Sequence, residues 1–167
     1  MPAKTVKRES PYLRVGTTIY KRVRQPLSSG RSVETLIPWN VETLRQDYGK
    51  SYLACALGHE ACKRGFRTFY ANAPKLLGAL KVAKVKGTLE TELKKIERCQ
   101  LLILDDLFIV PLDAKERPIL LEIIEDRHER KSIIITSQYP SSNWYDMVGD
   151  PTIADEILDR IIHTAIP

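Results

Sequence analysis

The sequence has few cysteines, few aromatic residues and no long apolar segment. Three of its 167 residues are cysteine, Cys55, Cys62 and Cys99, which is too few for a disulfide scaffold. No apolar run approaches the roughly 20 residues of a membrane-spanning helix, and no apolar stretch follows the basic start as it does in a secretory signal. We therefore expect a cytoplasmic protein with free thiols, in which Cys55 and Cys62 are small buried residues of a helix.

What the sequence does contain is typical of a globular domain. Apolar residues make up 43% and charged residues 28% of the chain, which excludes a collagen-like or wholly disordered protein. The length fits one domain, or one domain with an arm.

The basic charge is concentrated in residues 1–48. This segment has nine Lys or Arg against four Asp or Glu, and the rest of the chain is balanced, so the whole net charge of +5 belongs to the first third. Four prolines and a Ser28-Ser29-Gly30 break indicate little packed structure. We predict a basic, poorly structured arm over 1–48, which either neutralises nucleic-acid phosphates or is merely solvated.

From Gly49 onward, helical and strand patterns alternate. Apolar residues at three- and four-residue spacing indicate helices, and continuous apolar runs such as QLLILDDL indicate buried strands. The predicted helical segments are 49–65, 75–84, 89–99, 114–130, 141–148 and 150–165, and the predicted strands are 67–74, 100–107 and 132–138. This alternation predicts an α/β fold with a mostly parallel sheet flanked by helices.

Half of a phosphate-binding motif opens the first of these helices. Gly49-Lys50-Ser51 matches the end of G-x-x-x-x-G-K-[ST], in which the lysine reaches the phosphates and the hydroxyl holds Mg²⁺. Leu44 stands where the first glycine is needed, and Asp47 adds negative charge beside the phosphates. On its own, this remnant is a weak signal for nucleotide binding.

Polar residues follow two of the buried strands. Asp105 and Asp106 end LLILDD, where the first acid suits the water shell of Mg²⁺ and the second an attacking water. Ser137 and Gln138 end IIITSQ, and either one suits a position between that water and the terminal phosphate. The alternatives are a strand that merely ends in polar residues and an ordinary turn before Pro140.

Arg160 lies in the last amphipathic segment, LDRIIH. An arginine there suits a trans-acting role on the terminal phosphate bound by a neighbouring subunit. The alternative is an ion pair with Asp155 or Glu156, and the sequence leaves both open.

Four segments together resemble a known family. They are GKSYLACALGHEACKRGFRTFY, LLILDDL, LLEIIEDRHERKSIIITSQYP and WYDMVGDPTIADEILDRIIH. They are similar to the IstB-type helper ATPases of insertion sequences, which are relatives of the DnaC helicase loaders within the AAA+ P-loop NTPases. The resemblance covers about residues 49–165. It implies a self-assembling, ATP- and Mg²⁺-dependent protein that binds DNA and acts with the transposase of its element.

The resemblance also implies roles for individual residues. The phosphate loop includes Gly49, Lys50 and Ser51. The Mg²⁺-binding acids are Asp105 and Asp106, with Ser51 as a further metal ligand, and Asp106 also serves catalysis. Gln138 is the polar sensor of the terminal phosphate, and Arg160 is the trans-acting arginine.

The chain also departs from the family pattern. Residues 1–48 match neither the helical N-terminal domain nor the strand and glycine-rich loop of family members. We therefore expect a partial AAA+ domain over 49–167 that is incomplete at both ends, with a sheet that lacks its central first strand and its final edge strand, and with weakened nucleotide binding. TLIPWNVET is a candidate replacement for the missing strand, although Pro38 argues against a central place. Whether ATP is hydrolysed stays open, and the alternatives are a non-hydrolysing remnant that binds DNA or partner subunits and a decayed reading frame.

Overall fold

The computed structural model of the chain describes residues 18–21 and 49–162. Its helices and strands alternate as predicted from residue 49 onward, with ends that differ by a few residues. The strands are β1 (Thr18–Lys21), β2 (Thr68–Asn72), β3 (Leu101–Asp105) and β4 (Ser132–Thr136). The helices are α1 (Lys50–Lys63), α2 (Ala73–Val85), α3 (Leu89–Glu97), α4 (Glu116–Arg127), α5 (Trp144–Val148, after a 3₁₀ turn at Ser141–Asn143) and α6 (Pro151–Ile162).

The four strands form one sheet in the order β1-β4-β3-β2. The pairs β2–β3 and β3–β4 are parallel, which confirms the predicted α/β architecture. Every residue of β3 and β4 is buried, because helices cover both faces of the sheet, as in other parallel sheets.

The strand β1 lies within the segment that the sequence predicts to be a poorly structured arm. It pairs antiparallel with β4, so that Thr18 lies opposite Thr136 and Lys21 opposite Ile133. The sheet is therefore mixed at this edge. The rest of the predicted arm, including Leu44, Asp47 and the candidate strand TLIPWNVET, lies outside the described residues, as does the segment after Ile162.

Alternation along the strands divides the core into two clusters. On one face of the sheet, Ile103 and Ile134 pack with Ala54, Ala61 and Phe66, which places α1 on this face. On the other face lies a larger cluster that includes residues of α2 to α6. Since successive side chains of a strand point to opposite faces, the register of β3 decides which residues face α1.

The buried face of α1 is a stripe of small residues. Ala54, Gly58 and Ala61 are buried, at the spacing of four and three residues that marks one helix face. Cys55 and Cys62 each follow a buried position by one residue, a rotation of about 100°, and both are exposed. The prediction that these two cysteines are buried is therefore wrong.

Gly58 brings α1 into close contact with β3. A Cβ atom at this position would lie 2.7 Å from Cδ1 of Ile103, whereas buried carbon atoms in contact are about 3.5–4.0 Å apart. The missing side chain therefore lets the helix approach the sheet closely.

The last helix begins where the sequence indicates. Asp150 precedes Pro151, and its carboxylate accepts a hydrogen bond of 3.1 Å from the backbone N–H of Ile153. This bond caps the start of the helix, and Pro151 takes the first helical position, where its missing N–H costs nothing. Within the described part of the chain, no helix is both long and apolar enough to cross a membrane.

Candidate functional site

The start of α1 meets the carboxyl ends of β2, β3 and β4 at one edge of the sheet. Parallel strands end at the same edge, so the residues that follow them are neighbours in space although they are distant in sequence. Five of the predicted site residues have side chains in this edge network: Lys50, Ser51, Asp105, Asp106 and Gln138.

The carboxylate of Asp105 lies at the centre of the network. The residue is 4% exposed, and hydroxyl groups satisfy both of its oxygens. Ser51 donates to Oδ1 at 2.9 Å, Thr136 donates to the same oxygen, and Tyr70 donates to Oδ2 at 2.6 Å. Such bonds offset the cost of burying a carboxylate. The structure thus places the two predicted metal ligands, Ser51 and Asp105, in direct contact.

Lys50 is held at the end of β4. Its side chain is buried with only 8% of the residue exposed, and Nζ donates a 2.8 Å hydrogen bond to the carbonyl oxygen of Ser137. Gly49 is the N-cap of α1, and no acidic residue lies in the first turn. The positive end of the helix dipole therefore adds to the charge of the ammonium group.

Asp106 has an unusual backbone conformation, and its side chain contacts residues at or just after the ends of the neighbouring strands. Its φ of 58° lies in the left-handed region, which non-glycine residues seldom adopt and which is enriched at functional sites. Its carboxylate accepts hydrogen bonds from Asn72 at 3.2 Å and from Gln138 at 3.3 Å. The structure thus brings the predicted sensor and the predicted catalytic acid together.

Three residues of this network were missed by the sequence analysis: Tyr70, Asn72 and Thr136. Each is an ordinary strand residue by its sequence context. Tyr70 and Asn72 lie on β2, whose pairing with β3 places Asn72 opposite Asp105. The alternation of RTFYANAP predicts the strand, yet the partner of that strand and its register are invisible in the sequence.

Partial burial of the Tyr70 hydroxyl, and then its hydrogen bond to Asp105, raises the pKa of this side chain. Both effects disfavour the phenolate, because a buried negative charge beside a carboxylate is costly. The hydroxyl therefore keeps its proton at physiological pH and remains a donor.

Arg160 lies on α6, apart from the strands that carry the acids. Its Nη2 is 2.9 Å from Oε1 of Glu125 on α4, and its Nη1 is 3.6 Å from Oε2 of Glu156. Nη1 also donates to the carbonyl oxygen of Glu156 at 2.9 Å. The ion pair with Glu156 that the sequence left open is therefore present.

The donor set at the edge fits a magnesium–nucleotide complex. It combines an ammonium group for phosphates, hydroxyl and carboxylate oxygens for a hard cation, and a helix N-terminus for anions. Among residues 49–162, no cluster of three or more His, Cys, Asp or Glu side chains is arranged to hold a metal ion. Mg²⁺ would therefore depend on phosphate oxygens and water for the rest of its coordination.

The chain is similar to proteins that are named for ATP binding. The family described as IstB-like ATP binding protein matches residues 44–166. An insertion sequence ATP-binding protein of Sinorhizobium fredii, y4uH, is 47% identical over 117 residues, which are 70% of this chain and 47% of that protein. The chain thus spans about half the length of the curated relatives it matches.

Solved structures of P-loop AAA+ proteins share the fold. The match with DnaI covers 71% of this chain and 65% of the DnaI chain, with 25% identity and a TM-score of 0.63. A second match is the replication initiator DnaA, whose structure was solved with AMPPCP and single-stranded DNA. It covers 68% of this chain and 35% of the DnaA chain, with 26% identity and a TM-score of 0.59. The sheet and its helices are therefore an AAA+ P-loop core, and the chain belongs to the family of IstB-like ATP binding proteins.

Proposed function

We propose that this chain binds ATP and Mg²⁺ at the edge network and serves as a helper ATP-binding protein in insertion-sequence transposition. The observation that carries the proposal is the contact between Ser51 and Asp105, with Lys50 and Gln138 beside it. These residues come from one helix and two strand ends, and together they supply the groups that a triphosphate and its metal need. The relatives named as insertion sequence ATP-binding proteins support the same assignment.

In this proposal each residue has one role. Lys50 and the N-terminus of α1 bind phosphate oxygens, and Ser51 and Asp105 hold the metal, Asp105 through water. Bound Mg²⁺ supplies positive charge that offsets the charge developing on the triphosphate. Asp106 and Gln138 orient a water near the terminal phosphate, because each already holds the other in position.

Self-assembly gives Arg160 its role. We propose that copies of the chain associate so that Arg160 of one subunit reaches the triphosphate bound by the next. In the single chain, Glu125 and Glu156 hold its guanidinium group. A triphosphate carries more negative charge than either carboxylate, so it can compete for the arginine.

DNA and a transposase are the proposed partners, and the cytoplasm is the proposed location. The basic excess of residues 1–48 suits DNA phosphates, and the structural relative DnaA is bound to single-stranded DNA. The insertion-sequence names of the relatives support a role beside a transposase.

Nucleotide binding tests the proposal directly. We expect a fluorescent ATP analogue to bind in the presence of Mg²⁺ with a dissociation constant of tens to hundreds of micromolar, about 10-fold or more weaker than with a complete phosphate loop. The double change Leu44→Gly and Asp47→Gly restores glycine and removes a repelling charge, so it should tighten binding by at least about 10-fold.

The matched control for this experiment removes a distant acid. Asp126→Asn removes an exposed carboxylate of α4 and should leave the affinity unchanged. Affinity of a few micromolar in the unmodified chain would contradict the weakened loop. Absence of binding in both the unmodified chain and the glycine variant would contradict the proposed function.

A second prediction concerns DNA binding by the basic residues of the predicted arm. Changing Lys4, Lys7, Arg8 and Arg14 to glutamine spares β1 and removes four positive charges. Each charge that contacts a phosphate contributes about 0.9 to the slope of log affinity against log salt. We expect weaker binding to duplex DNA and a slope reduced by up to about 4, measured by fluorescence anisotropy between roughly 50 and 200 mM salt.

A control distinguishes the effect of the arm charges on DNA binding from the effect of the protein's overall charge. Lys94→Gln with Lys95→Gln removes two exposed charges of α3, which pair with Glu90 and Glu92, and should leave the slope unchanged. An unaltered slope in the arm variant would show that residues 1–17 do not contact DNA.

A further inference from the structure

We propose that Tyr70 is a positioning residue for the metal site, in that its hydroxyl holds the carboxylate of Asp105 in the orientation that Mg²⁺ requires. The proposal deepens the proposed function and rests on it. Its basis is the 2.6 Å hydrogen bond from the Tyr70 hydroxyl to Oδ2 of Asp105, a residue that lies 35 positions away on the neighbouring strand.

The register of the sheet explains why a tyrosine suits this position. Tyr70 lies opposite Ile103 in the parallel pair of β2 and β3, and Asp105 is two residues further on, on the same face. Diagonal neighbours of this kind are about 7–8 Å apart at the backbone, a gap that a long aromatic side chain can span. Phenylalanine would span the same gap and offer no donor.

Tyr70 bonds to the one oxygen of the Asp105 carboxylate that receives no hydrogen bond from Ser51 or Thr136. Ser51 and Thr136 donate to Oδ1 of Asp105, whereas Tyr70 donates to Oδ2. A carboxylate bonded at both oxygens is restrained from rotating about its Cβ–Cγ bond. Because Ser51 is itself a proposed metal ligand, Tyr70 and Thr136 are the two groups that keep the carboxylate oriented when the metal binds. Such supporting bonds tune metal affinity.

The exposure of Tyr70 indicates that its main role is to position Asp105 and not to pack in the core. The residue is 44% exposed and belongs to neither core cluster, so its ring contributes little to the core. If the ring of Tyr70 served only for packing, the loss of its hydroxyl would change nucleotide binding little. A residue that positions Asp105 would instead show the loss in the Mg²⁺ dependence of nucleotide binding.

The test is Tyr70→Phe in the full chain, with binding of the fluorescent ATP analogue followed during a Mg²⁺ titration. We expect the Mg²⁺ concentration for half-maximal binding to rise about 10-fold, the usual cost of losing a supporting partner of a metal ligand. Binding in EDTA should stay as in the unmodified chain, because Lys50 and the helix N-terminus are intact. Tyr145→Phe is the matched control, since Tyr145 is 40% exposed and lies on α5.

A second measurement leaves the fold unaltered. The chain with 3-fluorotyrosine at position 70 keeps the hydroxyl, and its fluorine resonance should shift when Mg²⁺ is added to the nucleotide-bound protein. An unchanged Mg²⁺ midpoint in Tyr70→Phe, or an unshifted resonance if that variant does not fold, would overturn the proposal. If the unmodified chain bound the analogue without any dependence on Mg²⁺, the proposed function would fail instead.

Discussion

Replacing Lys50 by alanine is expected to lower the affinity for ATP by about 100-fold or more. Hydrogen bonds to charged groups contribute roughly 1.5–3 kcal/mol each, and the ammonium group of Lys50 is placed to make more than one with the phosphates. The lysine is buried at the strand ends and bonded to the Ser137 carbonyl, so its position is set before any nucleotide arrives. Titration with the fluorescent ATP analogue measures the loss, and any ATP hydrolysis should disappear with it.

The control for this change lies on the same helix. Lys63 is exposed in the last turn of α1, and Lys63→Ala removes the same charge far from the strand ends. It should bind the analogue like the unmodified chain. Thermal unfolding of both variants shows whether the loss at Lys50 reflects binding or folding. Unchanged affinity in a folded Lys50→Ala variant would rule out the assignment of this residue to the phosphates.

Replacing Arg127 by methionine is expected to lower the free energy of unfolding by about 3–5 kcal/mol, because several buried carbonyl oxygens lose their donor. The residue is 1% exposed. Its guanidinium group donates to the carbonyl oxygens of Ile96, Cys99, Gln100 and Ser132. These carbonyls belong to the end of α3, the segment before β3 and the start of β4, so one side chain joins three parts of the fold.

Methionine fills similar space but leaves those carbonyl oxygens without their donor, and each unsatisfied buried group costs about 1–3 kcal/mol. Urea unfolding monitored by circular dichroism measures the change. Arg130→Met is the control, since Arg130 is exposed just beyond α4 and should shift stability by less than about 0.5 kcal/mol. A loss below about 1 kcal/mol in Arg127→Met would contradict this role.

Local patterns were enough to predict the helices and strands of residues 49–162. Periodicity of apolar residues, Gly65 and Gly87 after helices, and Asp150 before Pro151 are signals within a few residues of chain. The glycines have positive φ of 83° and 71°, as helix-ending glycines do. The same patterns failed for Cys55 and Cys62, because a face lined by small residues carries too weak a periodicity to show which side of α1 is buried.

Motif spacing also identified Lys50, Ser51, Asp105, Asp106 and Gln138 as candidates for one site, since short motifs place each of them at a strand end or helix start. What motif spacing could not supply was their supporting residues. Tyr70, Asn72 and Thr136 bond to acids 31 to 35 positions away, and such contacts depend on which strands are neighbours and in which register. Strand order and register are settled when the whole sheet packs between its helices, so only the folded chain shows these contacts.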